Sequence, residues 1–225
     1  MNTKTASSQR GDAGLLDLLA ILVAVAIVVV IGFAFISRPR RSTAPRIHCV
    51  NNLKQVGLAF RLWSGDNGDR LPMQVSTNDG GTMEFVASGT VFPHLAVMSN
   101  ELGTPKILAC PADQSRKPAT NFSGISDINI SYFVVPEADE TRPEMWLSGD
   151  RNLATNNIPI KRGLFTMQTN RVMSWTAQLH NHKGNLAFAD GSVQQLADSA
   201  LRRSAFDVLT NYQAITNASF RLAIP

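Results

Sequence analysis

Hydrophobic residues are concentrated near the beginning of this chain of 225 residues. Residues 14–36 read GLLDLLAILVAVAIVVVIGFAFI, with Asp17 as the one charged residue. About 20 apolar residues are enough to cross a bilayer as a helix, whereas the apolar core of a cleavable signal is usually about 7–15 residues long. The run therefore predicts a retained transmembrane helix over 14–36, preceded by a cytoplasmic leader-like segment over 1–13.

A basic segment, residues 37–46, follows the apolar run and is predicted to be a juxtamembrane linker. It contains four arginines, and the formal net charge of the whole chain is +4. Such arginines contact lipid headgroups, and the rest of the chain has no basic stripe with interleaved aromatic residues. We therefore expect a lipid bilayer as a partner and no nucleic acid. Two basic residues, Lys4 and Arg10, precede the span and four arginines follow it, so the charge rule taken literally places the following domain in the cytoplasm. The opposite orientation has to come from other features of the chain.

The pattern beyond the linker predicts a second helix near the start of a soluble domain, residues 47–225. Val50, Leu53 and Phe60 follow helical spacing, which predicts a helix over about residues 45–63. A run of Ser, Gly, Asp and Asn residues then predicts a turn. This helix has one apolar face, so we expect it to pack on the rest of the domain.

The remainder of the domain is rich in Gly, Pro, Asn, Ser and Thr, with embedded apolar runs as short as strands. These runs lie at residues 81–87, 107–110, 128–135, 163–166, 171–176 and 186–189. Asp190 and Gly191 predict a tight turn into a strand at 192–196, because Asp-Gly favours positive φ angles. A helix capped by Asp198 or Ser199 follows. Together these elements predict an α+β domain.

The chain has two cysteines, Cys49 and Cys110. Two is the minimum for one disulfide, which an extracytoplasmic location would permit, and two buried free thiols are the alternative. Neither cysteine lies in a CxxC or Cys/His sequence cluster, so we expect no structural zinc site.

Three segments, taken in their order along the chain, resemble prepilin-like proteins of the planctomycete and verrucomicrobial type. The first is the apolar helix with Asp17 near its start, and the second is CVNNLKQVGLA at 49–59, which resembles CxNNLKQIGLAL. The third is His180, nine residues, and then Asp190-Gly191, which fits the H-X9-DG region of that family at 180–191. Shorter matches lie at 110–113, 131–132 and 149–152.

The resemblance implies a pilin-like fold, in which an N-terminal transmembrane helix is followed by a helix packed on a small antiparallel sheet. It also implies a structural role in a type II secretion or type IV pilus-like system, with other pilin-like subunits or secretion machinery as partners. The location implied is the inner membrane, in a single pass, with the C-terminal domain outside the cytoplasm. No enzymatic activity and no cofactor are expected.

Asp17 corresponds in this resemblance to a pilin glutamate thought to contact the N-terminal amine of a neighbouring subunit, and a carboxylate at membrane depth needs such a cation. Aligning Asp17 with that glutamate puts Asp12 where the prepilin cleavage site has a glycine. A processed fibre subunit and a fixed membrane protein therefore both stay open.

Two other interpretations concern the domain itself. His180 and Asp190 are expected to form a structural polar pair. The alternative for these residues is a metal-dependent enzyme, whose ligands would be His180, His182 and Asp190 if both histidines lie on one face of a strand. A tethered module that binds glycan or protein is the second alternative, because loops on a rigid scaffold commonly carry recognition. Its available aromatic anchors would be Trp63, Trp146 and Trp175.

Overall fold

A computed structural model describes residues 10–36 and 43–225 of the chain. They fall into two units, Met1–Ser42 and Thr43–Pro225. Residues 1–9 of the predicted leader and residues 37–42 of the predicted linker lie outside the described residues.

The described part of the first unit is one helix, α1, Arg10–Ile36. It contains the predicted segment 14–36 and begins four residues earlier. Its 18 residues Leu16–Phe33 form a candidate membrane span of which no part is buried within the chain. At 1.5 Å per residue this stretch is about 27 Å long, close to the roughly 30 Å of a bilayer core. By length and composition, therefore, α1 can cross a membrane.

The second unit begins with helix α2, Thr43–Asp66, which extends the predicted helix at both ends. Pro45 lies in its first turn, where a helix N–H has no carbonyl partner, so the proline is tolerated there. The last four residues of the predicted linker, 43–46, therefore belong to this helix. Leu53, Val56 and Phe60 are fully buried, which confirms the predicted apolar face.

Two antiparallel sheets form most of the remaining regular structure. The larger has the order β5-β9-β1-β2-β7-β8 and the smaller β4-β3-β6. The strands are β1 Tyr132–Val134, β2 Trp146–Asp150, β3 Leu153–Thr155, β4 Ile158–Pro159, β5 Gly163–Thr166, β6 Met173–Trp175, β7 Lys183–Phe188, β8 Val193–Ala197 and β9 Arg221–Ile224. Helix α2 packs against β2, β7 and β8, so the unit is an α+β domain with a helix on an antiparallel sheet.

The segment between α2 and β1 contains short helices instead of the predicted strands. Residues 81–87 and 107–110 were the strand predictions, but Met83–Ser88 and Pro105–Leu108 form 3-10 helices. Two further short helices are α3 Phe92–Ala96 and α4 Ser99–Leu102. Pro105 begins one of these 3-10 helices, and Gly89, with a φ of 67°, ends the other. Both features favour a helical turn over an extended strand. Ile107 and Leu108 are still buried, by side-chain packing and not by strand pairing, whereas Met83 and Phe85 are 47% and 42% exposed.

The C-terminal part agrees more closely with its pattern. Strands β7 and β8 form a hairpin in which Lys183 is paired with Ala197, and Gly191 in its turn has a φ of 83°, as the Asp-Gly pair predicts. Helix α5, Asp198–Thr216, follows directly and contacts β6 and β8. Strand β9 after it was not predicted, and it lies between β5 and β1 in the larger sheet.

Candidate functional site

A closed polar cluster lies beneath α2, next to the ends of β2 and β7. His180 Nε2 is 3.3 Å from Asp150 Oδ2, 3.3 Å from Asn185 Nδ2 and 3.5 Å from Cys110 Sγ. Asp150 is the last residue of β2, Asn185 lies in β7, and His180 lies in the turn before β7. We call these four residues, together with Cys49, the His180 cluster.

Asp150 is the electrostatic centre of this cluster. Its Oδ2 accepts hydrogen bonds from the backbone N–H of Asn185 at 2.7 Å and from the side-chain amide of Asn185 at 2.9 Å. His180 Nε2 lies 3.3 Å from the same oxygen, so the tautomer that carries its proton on Nε2 would be the third donor to Asp150. Burial raises the pKa of Asp150, and the hydrogen bonds from His180 and Asn185 oppose that rise. Among the described residues, Asp150 Oδ1 has no hydrogen-bond partner.

A disulfide closes the other side of the cluster. It joins Cys49 of α2 to Cys110, with their Cα atoms 5.0 Å apart and a sequence separation of 61 residues. Asn52, one turn further along α2, donates its amide to the Ala109 carbonyl at 3.3 Å. The segment that ends at Cys110 is therefore held to α2 by one covalent and one hydrogen bond.

A buried ion pair lies immediately beside the His180 cluster in sequence. Arg151 donates to Asp113 through Nε at 2.7 Å and through Nη2 at 2.8 Å, and Ser131 donates to Asp113 at 2.9 Å. Burial alone would raise the pKa of Asp113, but hydrogen bonds from Arg151, Ser115 and Ser131 and the guanidinium charge outweigh burial and lower it. This pair joins the 110–113 segment to the end of β2.

The predicted polar pair of His180 with Asp190 is wrong, because the structure gives each residue other partners. His180 contacts Asp150, while Asp190 is exposed in the β7–β8 turn and accepts from the Ser192 N–H at 2.8 Å. Arg61 of α2 donates to the Asp190 carbonyl at 3.1 Å. Asp190 thus shapes the turn and helps to attach it to α2.

The three candidate metal ligands His180, His182 and Asp190 are likewise not brought together. Their alignment required a strand at 180–182, but the chain turns there, and Asn181 and His182 have φ angles of 53° and 59°. His182 Nδ1 lies 3.2 Å from the Trp175 carbonyl, away from the Asp150 contact of His180. In the described ranges, the three residues whose donor atoms do come together are Cys49, Cys110 and His180.

The tryptophans considered as surface anchors are all in the core. Trp63 is 6% exposed, Trp146 is fully buried and Trp175 is 1% exposed. Trp146 also donates its indole N–H to Ser204 of α5 at 2.8 Å. These side chains therefore stabilise the fold and are not available to a ligand.

A second buried histidine lies apart from the cluster. His94 of α3 is fully buried, and its Nδ1 is 2.7 Å from the Thr82 hydroxyl. Its Nε2 has no hydrogen-bond partner among the described residues. Burial lowers the pKa of His94 to about 4, so the imidazole is neutral in the folded domain near pH 7.

Asp17, the candidate assembly residue, belongs to the first unit. It is exposed on α1 and is the second residue of the candidate span Leu16–Phe33. A side chain at that position lies near the end of a membrane span, where a carboxylate costs less than at the centre.

The His180 cluster has little access to solvent. His180 is 4% exposed, Asp150 and Asn185 are fully buried, and Cys110 is 2% exposed. Grooves of about 440 Å³ and about 330 Å³ lie on the surface, one along the C-terminal part of α2 and one between β8 and α5, and no residue of the cluster lines either. A substrate could not reach the cluster without local opening, so the geometry favours a structural role.

Sequence reasoning missed Asp150, Asn185 and the Asp113–Arg151 pair. Asp113, Asp150 and Arg151 lie in the shorter matches at 110–113 and 149–152, but charged residues are usually exposed unless they are paired, so the sequence gives no sign of their burial. Asp113 and Arg151 are 38 residues apart in sequence, and Asp150 and Asn185 are 35 residues apart, so no local spacing reveals either contact.

Comparisons with known proteins leave the interpretation to this geometry. No protein-family model, no curated protein and no solved structure matches the chain. The roles of His180 and of the Asp190-Gly191 turn therefore rest on their contacts. His180 joins β2 to the disulfide, and the Asp190-Gly191 turn attaches the hairpin to α2.

Proposed function

We propose that this chain is a membrane-anchored, pilin-like structural protein, acting as a pseudopilin-like subunit or accessory of a type II secretion or pilus-like system. The observation that carries the proposal is the contrast between its two units. Helix α1 exposes an apolar surface all round, which suits lipid and not water. In the second unit, the buried carboxylates Asp113 and Asp150 are hydrogen-bonded, and the His180 cluster is closed to solvent.

The proposed orientation puts the second unit outside the cytoplasm. The Cys49–Cys110 disulfide supports this side, because disulfides persist in oxidising compartments. Arginines after the span favour the opposite side. A covalent bond that needs oxidising conditions is the stronger of the two arguments, since charge bias near a span has many exceptions.

The anchor is tested by deleting residues 14–36. The full chain should stay with membranes after alkaline carbonate washing, whereas the deletion variant should move to the soluble fraction. Retention on membranes after the deletion, or recovery of the full chain as a soluble protein, would contradict the proposal.

The assembly role is tested at Asp17 without removing the anchor. Asp17→Asn should leave the chain in the membrane fraction, because it only removes a charge near the end of the span. It should reduce in-membrane cross-linking between copies, and Asp17→Glu should restore it. Equal cross-linking in the unchanged chain, in Asp17→Asn and in Asp17→Glu would show that Asp17 makes no contact between subunits. That result would contradict the proposed assembly role.

A further inference from the structure

The donor atoms of Cys49, Cys110 and His180 form a compact group in three dimensions. The two sulfurs and an imidazole nitrogen lie within 4.8 Å of one another, and all three side chains are buried. They come from α2, from the segment after the Pro105–Leu108 helix and from the turn before β7, so only the folded chain assembles them.

We propose that, once the disulfide is reduced, Cys49, Cys110 and His180 bind a thiophilic divalent cation, Zn²⁺, with Asp150 as the fourth ligand. Thiolate, imidazole and carboxylate are the donors that zinc takes in tetrahedral protein sites. Two distances support this set of ligands: that between Cys110 and His180, and that between His180 and Asp150.

Two edges of the group match a tetrahedral site, while the two sulfurs, bonded to each other in the disulfide, have to separate to about 3.8 Å after reduction. With Zn–S of about 2.3 Å and Zn–N of about 2.0 Å, a sulfur and a nitrogen bound to one zinc lie about 3.5 Å apart. Cys110 Sγ and His180 Nε2 are 3.5 Å apart. A bound nitrogen and oxygen should lie about 3.3 Å apart, and His180 Nε2 and Asp150 Oδ2 are 3.3 Å apart.

The surroundings also suit a bound cation. Asn185 holds Asp150 with two hydrogen bonds, which is the kind of support that orients a ligating carboxylate. Asp150 Oδ1, which lacks a hydrogen-bond partner among the described residues, is free to take part. In the adjacent pair, the positive charge of Arg151 is neutralised by Asp113. The negative charges of the two thiolates and Asp150 therefore remain to be balanced by the metal ion.

The chemistry has two balanced steps. A phosphine reductant gives two electrons to the disulfide, which takes up two protons to yield two thiols, while the phosphine takes an oxygen from water and becomes a phosphine oxide. Zinc then displaces both thiol protons to solvent and forms two Zn–S bonds. The disulfide and the metal are thus alternative bridges between α2 and Cys110.

The test uses the full chain in detergent. The chain is reduced with a phosphine, unfolded in urea and refolded by dilution with zinc or with cobalt, so that burial of the site does not block entry. Stoichiometric zinc is expected in the reduced chain, with thiolate-to-cobalt charge-transfer absorption and the visible bands of tetrahedral cobalt. The disulfide-bonded chain should take up neither metal.

Matched variants identify the ligands. His180→Gln and Asp150→Asn should each weaken zinc binding by about tenfold or more. Asp190→Asn, which changes the exposed carboxylate of the same segment, should bind zinc like the unchanged chain. The proposal is overturned if the reduced, refolded chain takes no zinc, or if His180→Gln binds zinc as tightly as Asp190→Asn does.

Discussion

The two units of this chain place the same type of apolar side chain in opposite environments. Val25 in α1 is 54% exposed, whereas Val56 in α2 is fully buried. Helix α2 has a polar side that faces water, while α1 has only apolar residues through its central turns. The apolar stripe of a helix can be buried against a sheet, but a helix that is apolar all round needs lipid or a set of partner helices around it.

The two units also differ in where their acidic residues lie. The one acidic residue within the apolar run of α1, Asp17, lies near the end of its candidate span. In the second unit, Asp113 and Asp150 are buried deep in the core and are held by Arg151 and His180. Buried charges survive there because each has a partner. The second unit therefore pairs the carboxylates that it buries, whereas α1 carries its carboxylate near the end of the apolar stretch.

The largest expected effect comes from placing the same charge in both units. Val25→Arg puts a cation at the middle of the candidate span, which should cost about 3 kcal/mol and reduce membrane insertion by roughly a hundredfold. Val172→Arg is the matched control, because Val172 is 48% exposed in the second unit. Alkaline extraction of both variants measures the difference. If both remain in the membrane equally, α1 is not a lipid-facing span.

A slightly smaller effect is expected from breaking a buried pair. Arg151→Met leaves the Asp113 carboxylate buried without its cation, but Ser115 and Ser131 still donate to it, so we expect a loss of about 2.5 kcal/mol in unfolding free energy. Arg142→Met is the control, because Arg142 and Asp139 form a partly exposed pair 3.8 Å apart. That change should cost under about 1 kcal/mol. Urea unfolding followed by the fluorescence of the buried tryptophans compares them, and equal losses would contradict the proposed importance of burial.

The smallest of the three effects concerns His94. Its pKa is about 4 in the folded chain and near 6.5 when unfolded, so the unfolded chain binds more protons between these values. Stability is therefore full above pH 6.5 and is lost as the pH falls toward 4, by about 2 kcal/mol between pH 7 and pH 5.

His94→Gln should remove this part of the pH dependence, whereas His48→Gln should not, because His48 is exposed on α2. Taking the difference between each variant and the unchanged chain cancels the titration of the carboxylates. If the unfolding free energy of His94→Gln depends on pH as steeply as that of the unchanged chain, His94 is not the buried neutral group.

Much of the fold could be predicted because its signals are local. The apolar run over 14–36, the helical spacing from Val50 to Phe60 and the Asp190-Gly191 turn each lie within one short stretch. The segments 81–87 and 107–110 were misjudged because a short apolar run is equally compatible with a strand and with a buried 3-10 turn.

The candidate site was less predictable for the same reason. His180 was singled out together with Asp190, ten residues away in sequence, but its partners are Asp150 and Cys110, which lie 30 and 70 residues away. Only the pairing of β2 with β7 and the packing of α2 bring them together. The turn chemistry of Asp190 was correct because it depends on the next two residues alone.

The most direct test of this account asks on which side of the membrane the second unit lies. Two reporters are fused after Pro225 in separate strains: alkaline phosphatase, which becomes active only after export, and a fluorescent protein that matures only in the cytoplasm. The account predicts phosphatase activity and no fluorescence. Fluorescence with an inactive phosphatase would place the domain inside the cell and contradict it.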